Sequence, residues 1–192
     1  QAARQRRDHA RTKGGRTVKA LDRWLALGVD WEPGDELTGW LLSEKLNGCR
    51  AFWDGANLWS RGGKRVTLPA HIRATLPEGV RLDGELWAGR EGFTEARVAV
   101  QFGRWTPRCR FTVFDAPDSP GTWAQRIAEA GRLYADCVGF TVCESLQHAN
   151  AMLLEVQSAG GEGLVFRSPI ATGYERGRSR NFVKVKGVIY EI

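Results

Sequence analysis

Apolar residues in this chain fall in short runs separated by glycine, proline and acidic turns, and their period alternates between two and 3.6. Trp40-Leu41-Leu42 and Ala51-Phe52-Trp53 read as strands on either side of a turn. Asp54-Gly55 closes the second, and Asn57-Leu58-Trp59-Ser60 reads as a third. Val80–Ala88, Arg108–Asp115, Phe140–Cys143, Leu164–Arg167 and Asn181–Lys186 read as further strands. Helical spacing predicts helices over Ala20–Val29 (Leu21, Trp24, Leu25, Leu27), Thr94–Phe102, Thr122–Cys137 (Trp123, Ile127, Ala130, Leu133) and Leu146–Ser158, the last capped by Gly160-Gly161. Pro69, suited to a first helical position, predicts one more through Leu76. Ser60–Gly63 and Gly173–Arg180 read as mobile basic loops. There is no internal repeat, and no alternation of helix and strand regular enough for a parallel sheet. The expected class is therefore α+β with antiparallel sheets.

Composition narrows this only slightly. With 192 residues, 42% hydrophobic and 26% charged, the chain suits one globular domain. No apolar run approaches the ~20 residues that a membrane-spanning helix requires, and no signal peptide is recognisable, although the first residue is Gln. The net charge of +6 is uneven: residues 1–19 hold seven cations against Asp8, so the excess sits wholly there and the rest is balanced. The expectation is a flexible basic arm, 1–19, that attracts polyanions, ahead of a folded domain, 20–192. Four cysteines and three histidines lack zinc-ligand or disulfide-framework spacing, which fits a reducing, cytoplasmic setting with the periplasm left open.

Candidate chemistry concentrates in Ser43-Glu44-Lys45-Leu46-Asn47-Gly48-Cys49-Arg50. Lys45 ends an apolar strand, Gly48 permits a sharp turn, and Arg50 opens the next strand. Such a strand–turn–strand holds an amine at the lip of a cleft with a guanidinium nearby. An amine must be neutral to act as a nucleophile, and neighbouring cations or a metal favour that form. Lys184 and Lys186 alternate, so both point to one side of their strand. Glu85 and Glu162 stand among apolar residues, where an unpaired carboxylate is costly to bury, so each needs a cation or a hydroxyl.

The lysine turn is followed in order by Leu82-Asp83-Gly84-Glu85-Leu86, Phe111-Thr112-Val113-Phe114-Asp115, Gly161–Arg167 and Phe182-Val183-Lys184-Val185-Lys186. This series resembles the motifs of the covalent nucleotidyltransferases, above all the ATP-dependent DNA ligases. The phrasing of Lys45–Asp54 and Asp83–Gly89 is similar to the small bacterial and phage-type enzymes. The resemblance implies the covalent-nucleotidyltransferase (ATP-grasp-like) fold: two antiparallel sheets flanked by helices, with a nucleotide cleft between them. It implies that Lys45 takes AMP from ATP as a phosphoramidate and passes it to the 5′-phosphate of a nick in double-stranded DNA. Lys184 would then hold the α-phosphate and Lys186 the transferring phosphoryl group. Ser43, Glu44 and Arg50 would contribute to the nucleotide site, Glu85 would meet the ribose, Phe114 would stack on the purine and Glu162 would serve Mg2+. Arg50 and Arg61, with Arg176, Arg178 and Arg180, would face nucleic-acid phosphates. A monomer with no membrane partner is implied.

Two departures accompany the likeness. Asn47 stands where DNA ligases usually have Asp; it keeps a turn acceptor but lacks the charge for any ion pair the family makes there, for instance with an arginine of the Arg176–Arg180 segment. The family's C-terminal oligonucleotide-binding barrel has no counterpart after Lys186, so that domain is expected to be missing from this chain. RNA ligases and capping-type guanylyltransferases share the lysine turn and stay open as alternatives. So does a nucleic-acid-binding module with an inactive nucleotide site.

Overall fold

The computed structural model describes residues 24–187 and residue 189; the basic arm lies outside the described residues. Two five-stranded sheets carry the fold. The first comprises β1 (Ala26–Asp30), β2 (Leu41–Glu44), β8 (Thr141–Val142), β9 (Leu164–Arg167) and β10 (Gly177–Val185), ordered β1-β10-β9-β2-β8. The second comprises β3 (Cys49–Trp53), β4 (Leu58–Ser60), β5 (Arg65–Val66), β6 (Leu82–Trp87) and β7 (Arg110–Asp115), ordered β5-β4-β3-β6-β7. Four helices among the described residues complete it: α1 (Ala70–Arg73), α2 (Phe93–Phe102), α3 (Trp123–Leu133) and α4 (Leu146–Ser158).

Each sheet buries one face against its own helix. On α4, Ala149, Leu153 and Val156 pack on Leu42, Leu164, Phe166, Val183 and Val185 of the first sheet. On α3, Trp123, Ile127 and Ala130 pack on Trp53, Leu82, Leu86, Phe111 and Val113 of the second. The alternation of strand side chains then turns Ser43, Val165, Arg167, Phe182 and Lys184 of the first sheet to the opposite face. That face looks onto Arg50, Glu85 and Phe114 of the second sheet across a cleft of about 440 Å³.

The mixed α+β class holds, and the differences are local. Ala26–Asp30 is a strand instead of the end of a helix, because it lies parallel to β10, and Gly28 leaves room for the Phe182 ring, which a Cβ there would meet at 2.9 Å. The first sheet is thus mixed, with one parallel pair, while every pair in the second is antiparallel. Gly177–Arg180, read as loop, opens β10: the residues that look like a polar linker complete the ladder with β1. α1 covers only Ala70–Arg73, with Pro69 at the cap. α3 stops at Leu133, because Asp136 and Val138 hydrogen-bond Val113 of β7.

The chain passes between the sheets twice among the described residues: through Lys45–Gly48, and through the segment carrying α3. β2 and β3 therefore do not form a hairpin. The lysine turn is the short crossing that joins the two walls of the cleft.

Candidate active site

The crossing is tied down at both ends. The Lys45 N–H donates to the Gly163 carbonyl at 2.8 Å, keeping its backbone in register with the first sheet. Gly163 is itself pressed against the chain, since a Cβ there would sit 2.2 Å from the Val185 carbonyl oxygen. At Gly48 a Cβ would sit 2.2 Å from the Leu86 carbonyl oxygen and 2.9 Å from Glu85 Cγ. Any side chain at 48 would push the turn off the second sheet, which explains the glycine there.

Lys45, Glu162 and Lys186 form a chain of charge at the outer end of the cleft. Lys45 Nζ lies 2.5 Å from Glu162 Oε2, and Lys186 Nζ lies 2.7 Å from Glu162 Oε1. Burial pushes the Glu162 carboxyl up, but hydrogen bonds from Lys186 and Lys45 outweigh it and hold the group below the usual carboxylate range. The same contact raises Lys186. The cationic neighbourhood expected of Lys45 is thus mediated by a shared carboxylate. Lys184 lines the cleft as the alternation requires, and its amine reaches Asp30 Oδ1 at 3.0 Å. Next to Lys45, Glu44 is gripped by the Arg90 fork, with both contacts at 3.0 Å, a bridge from β2 to the loop after β6.

Glu85 reaches the cleft from β6, opposite Arg50 on β3. Burial raises its carboxyl to about 7 against the pull of Arg50 and Lys45, and the Gly48 N–H donates to it. Phe114 lines the cleft with the Arg50 guanidinium carbon 4.5 Å from its ring centroid.

Arg50 is pinned by several partners at once. Its Nε and Nη2 fork onto Asp83, each at 2.6 Å, and Nη2 also donates to the Ala26 carbonyl at 2.9 Å. Asp83 is fully buried and also accepts the Tyr174 hydroxyl. Although burial lowers its pKa, Asp83 outweighs that effect and keeps Arg50 firmly charged. Arg50 thus forms part of the cleft wall. Arg61 and Arg178 also line the cleft. Arg176 instead stacks on Trp24, 3.8 Å from its ring centroid, and Arg180 pairs with Glu32 (2.8 Å) and Asp35 (3.1 Å); neither lines the cleft.

Three partners went unassigned at the level of sequence: Asp83, Tyr174 and Arg167. Asp83 and Arg167 lie inside the motifs, and period-two alternation from Val165 already puts Arg167 on the cleft face. Tyr174 lies in the segment after β9, and nothing local announces that it returns to Asp83.

No family model matches the chain. It is 33% identical over 159 residues to a DNA ligase of Haemophilus influenzae, an alignment that covers 78% of this chain and 59% of that protein. Over most of its length the chain is thus similar to a DNA ligase. Among solved structures it is similar to Lig E DNA ligases studied for DNA binding with a minimal scaffold (TM-score 0.74, 29% identity, 85% of this chain and 68% of that one). The Chlorella virus DNA ligase-adenylate (TM-score 0.67, 21% identity, 85% and 67%) shares the fold. So does the bacteriophage T7 ATP-dependent DNA ligase in complex with ATP (TM-score 0.62, 14% identity, 87% and 69%). The chain thus spans about three-fifths of the length of its curated ligase relative.

Proposed function

We propose that the cleft is the nucleotide site of an ATP-dependent DNA ligase and that residues 20–192 form its adenylation domain. The observation that carries the reading is the Lys45–Glu162–Lys186 ion-pair chain at the crossing between the sheets. It places one amine, a second cation and a carboxylate together at the mouth of a cleft whose interior offers an aromatic ring, Phe114. A phosphate entering there meets Lys184 and Lys186. Once deprotonated, Lys45 Nζ attacks the α-phosphorus of ATP, forming an N–P bond and releasing pyrophosphate. The AMP then passes to the 5′-phosphate of a DNA nick, and the neighbouring 3′-hydroxyl displaces it to seal the strand. Glu85 receives the ribose hydroxyls and Phe114 the base. Arg61 and Arg178, on the cleft lining, are placed for strand phosphates, with arginine's fork suited to them.

No cluster of three or more His, Cys, Asp or Glu suited to a metal exists among the described residues. Magnesium needs no such cluster, since it takes one or two carboxylates with phosphate oxygens and water. Glu162, beside the phosphate-facing lysines, fits that need and would hold it. When bound, the ion supplies positive charge to the phosphate oxygens.

Incubation of the protein with labelled ATP and Mg2+ should give a covalent AMP adduct, and labelled GTP should give none. The adenylated protein should then seal nicked DNA faster than a nicked RNA duplex. Labelling by GTP instead of ATP would point to a capping-type enzyme, and preference for RNA to an RNA ligase. Nucleotide binding without any adduct would point to an inactive binding module.

A further inference from the structure

At the inner end of the cleft lies an arginine that none of the roles above uses. Arg167 is only 6% exposed, and its guanidinium carbon sits 3.5 Å from the Phe182 ring centroid. Its Nε is buried with no hydrogen-bond partner. The nearest carboxylate oxygen, Asp115 Oδ2, is 3.9 Å from Nη1, and Asp115 is already committed to the Arg126 fork at 2.7 and 3.1 Å and to the Ala116 N–H. The other buried acid nearby, Asp83, is held by Arg50 and Tyr174. Burial pulls Arg167 down to about 10, against the lift from Asp115. A buried donor left unmade is destabilising and rare, so its persistence calls for a ligand.

The strands fix where that ligand would lie. Arg167 pairs with Phe182, two residues inward from the pair of Val165 and Lys184. Lys45 is bonded at the level of Gly163, four residues away. At about 3.3 Å per residue that is ~13 Å along the strand, so Arg167 lies well inward of Lys45, on the side where a base would lie if its α-phosphate met that amine. The Phe114 ring, whose centroid is 6.0 Å from the guanidinium carbon, borders the same space.

We propose that Arg167 is a specificity-determining residue whose Nε–H donates to a ring nitrogen of the purine base held in the cleft. The inference rests on the adenylation reading above. A guanidinium only donates, so it rewards an acceptor nitrogen and leaves an edge that lacks one unpaired. Phe182 and Asp115 hold the guanidinium for this without consuming that donor.

The test is a cycle of analogue against variant, read as kcat/KM for forming the protein–AMP adduct with ATP, 1-deaza-ATP, 3-deaza-ATP and 7-deaza-ATP. The wild type should lose about tenfold or more with one of the three, the scale of a hydrogen bond to a charged donor. Arg167→Met, which keeps length but has no donor, should treat that analogue and ATP alike, so the two losses are non-additive. Additive losses would overturn the proposal. So would a wild type that uses all three analogues within about twofold of ATP, whatever the variant's folding. Absence of any adduct with ATP itself would instead remove the adenylation reading, and this inference with it.

Discussion

The two ends of the cleft use the same residue types in opposite ways. At the outer end, the Lys45, Glu162 and Lys186 side chains are 21%, 20% and 58% exposed. At the inner end, Asp83 and Asp115 are wholly buried and gripped by the forks of Arg50 and Arg126. Ion pairs in contact with water are worth little and exchange partners readily, whereas breaking a buried pair leaves an uncompensated charge. The outer chain can therefore exchange its contacts at low cost, and the inner one cannot. Charge at the mouth is free to change partners, as the proposed chemistry requires; charge at the base fixes the walls.

Asp83→Asn should have the largest effect on stability. Arg50 would keep its charge without a counter-ion, at a cost of about 3–5 kcal/mol, measurable by denaturant unfolding. A loss similar to that of an exposed pair would erase the distinction between the two ends.

Glu85→Gln sharpens it through pH. The folded carboxyl sits at about 7, above its unfolded value near 4.3, so the folded state binds the extra proton in between. Stability should therefore fall as pH rises through that window, by roughly 4 kcal/mol at ~1.36 per pH unit, and the variant should lose this slope. An unchanged slope would mean that Glu85 is already solvated.

Glu162→Gln should leave stability near wild type at neutral pH yet slow AMP transfer about a hundredfold, the scale of one preorganised electrostatic contact. Its depressed pKa implies stabilisation present above the unfolded value and lost as pH falls through the folded one. A Tm that drops as far as that of Asp83→Asn would make Glu162 structural. Arg180→Ala, which removes only exposed pairs with Glu32 and Asp35, should change neither Tm nor AMP transfer measurably; a loss of transfer would bring that surface into the site.

Much of this was legible in the chain because it is local. Leu164–Arg167 and Leu146–Ser158 match the structure at both ends, since a four-residue apolar run and a capped amphipathic helix carry their own boundaries. The placement of Lys45, Lys184, Glu85 and Phe114 on one cleft followed from alternation and from the motifs' order. What stayed hidden depends on distant partners. Ala26–Asp30 is a strand because β10 accepts it, some 150 residues away in sequence. Arg50 turned inward because Asp83, 33 residues on, waits opposite it, and a guanidinium's target cannot be read from its own neighbours. The strand–turn–strand at Lys45 did not reveal that its strands join different sheets, because two apolar runs around a glycine give the same pattern whether they pair or part.

The most direct test of the account is to find which residue carries AMP. After reaction with ATP and Mg2+, intact-mass measurement should show the gain of one AMP, and peptide mapping should place it on Lys45, with Lys45→Ala folded but unlabelled. An adduct mapped to Lys184, Lys186 or any other residue would contradict the claim that the outer ion-pair chain holds the nucleophile.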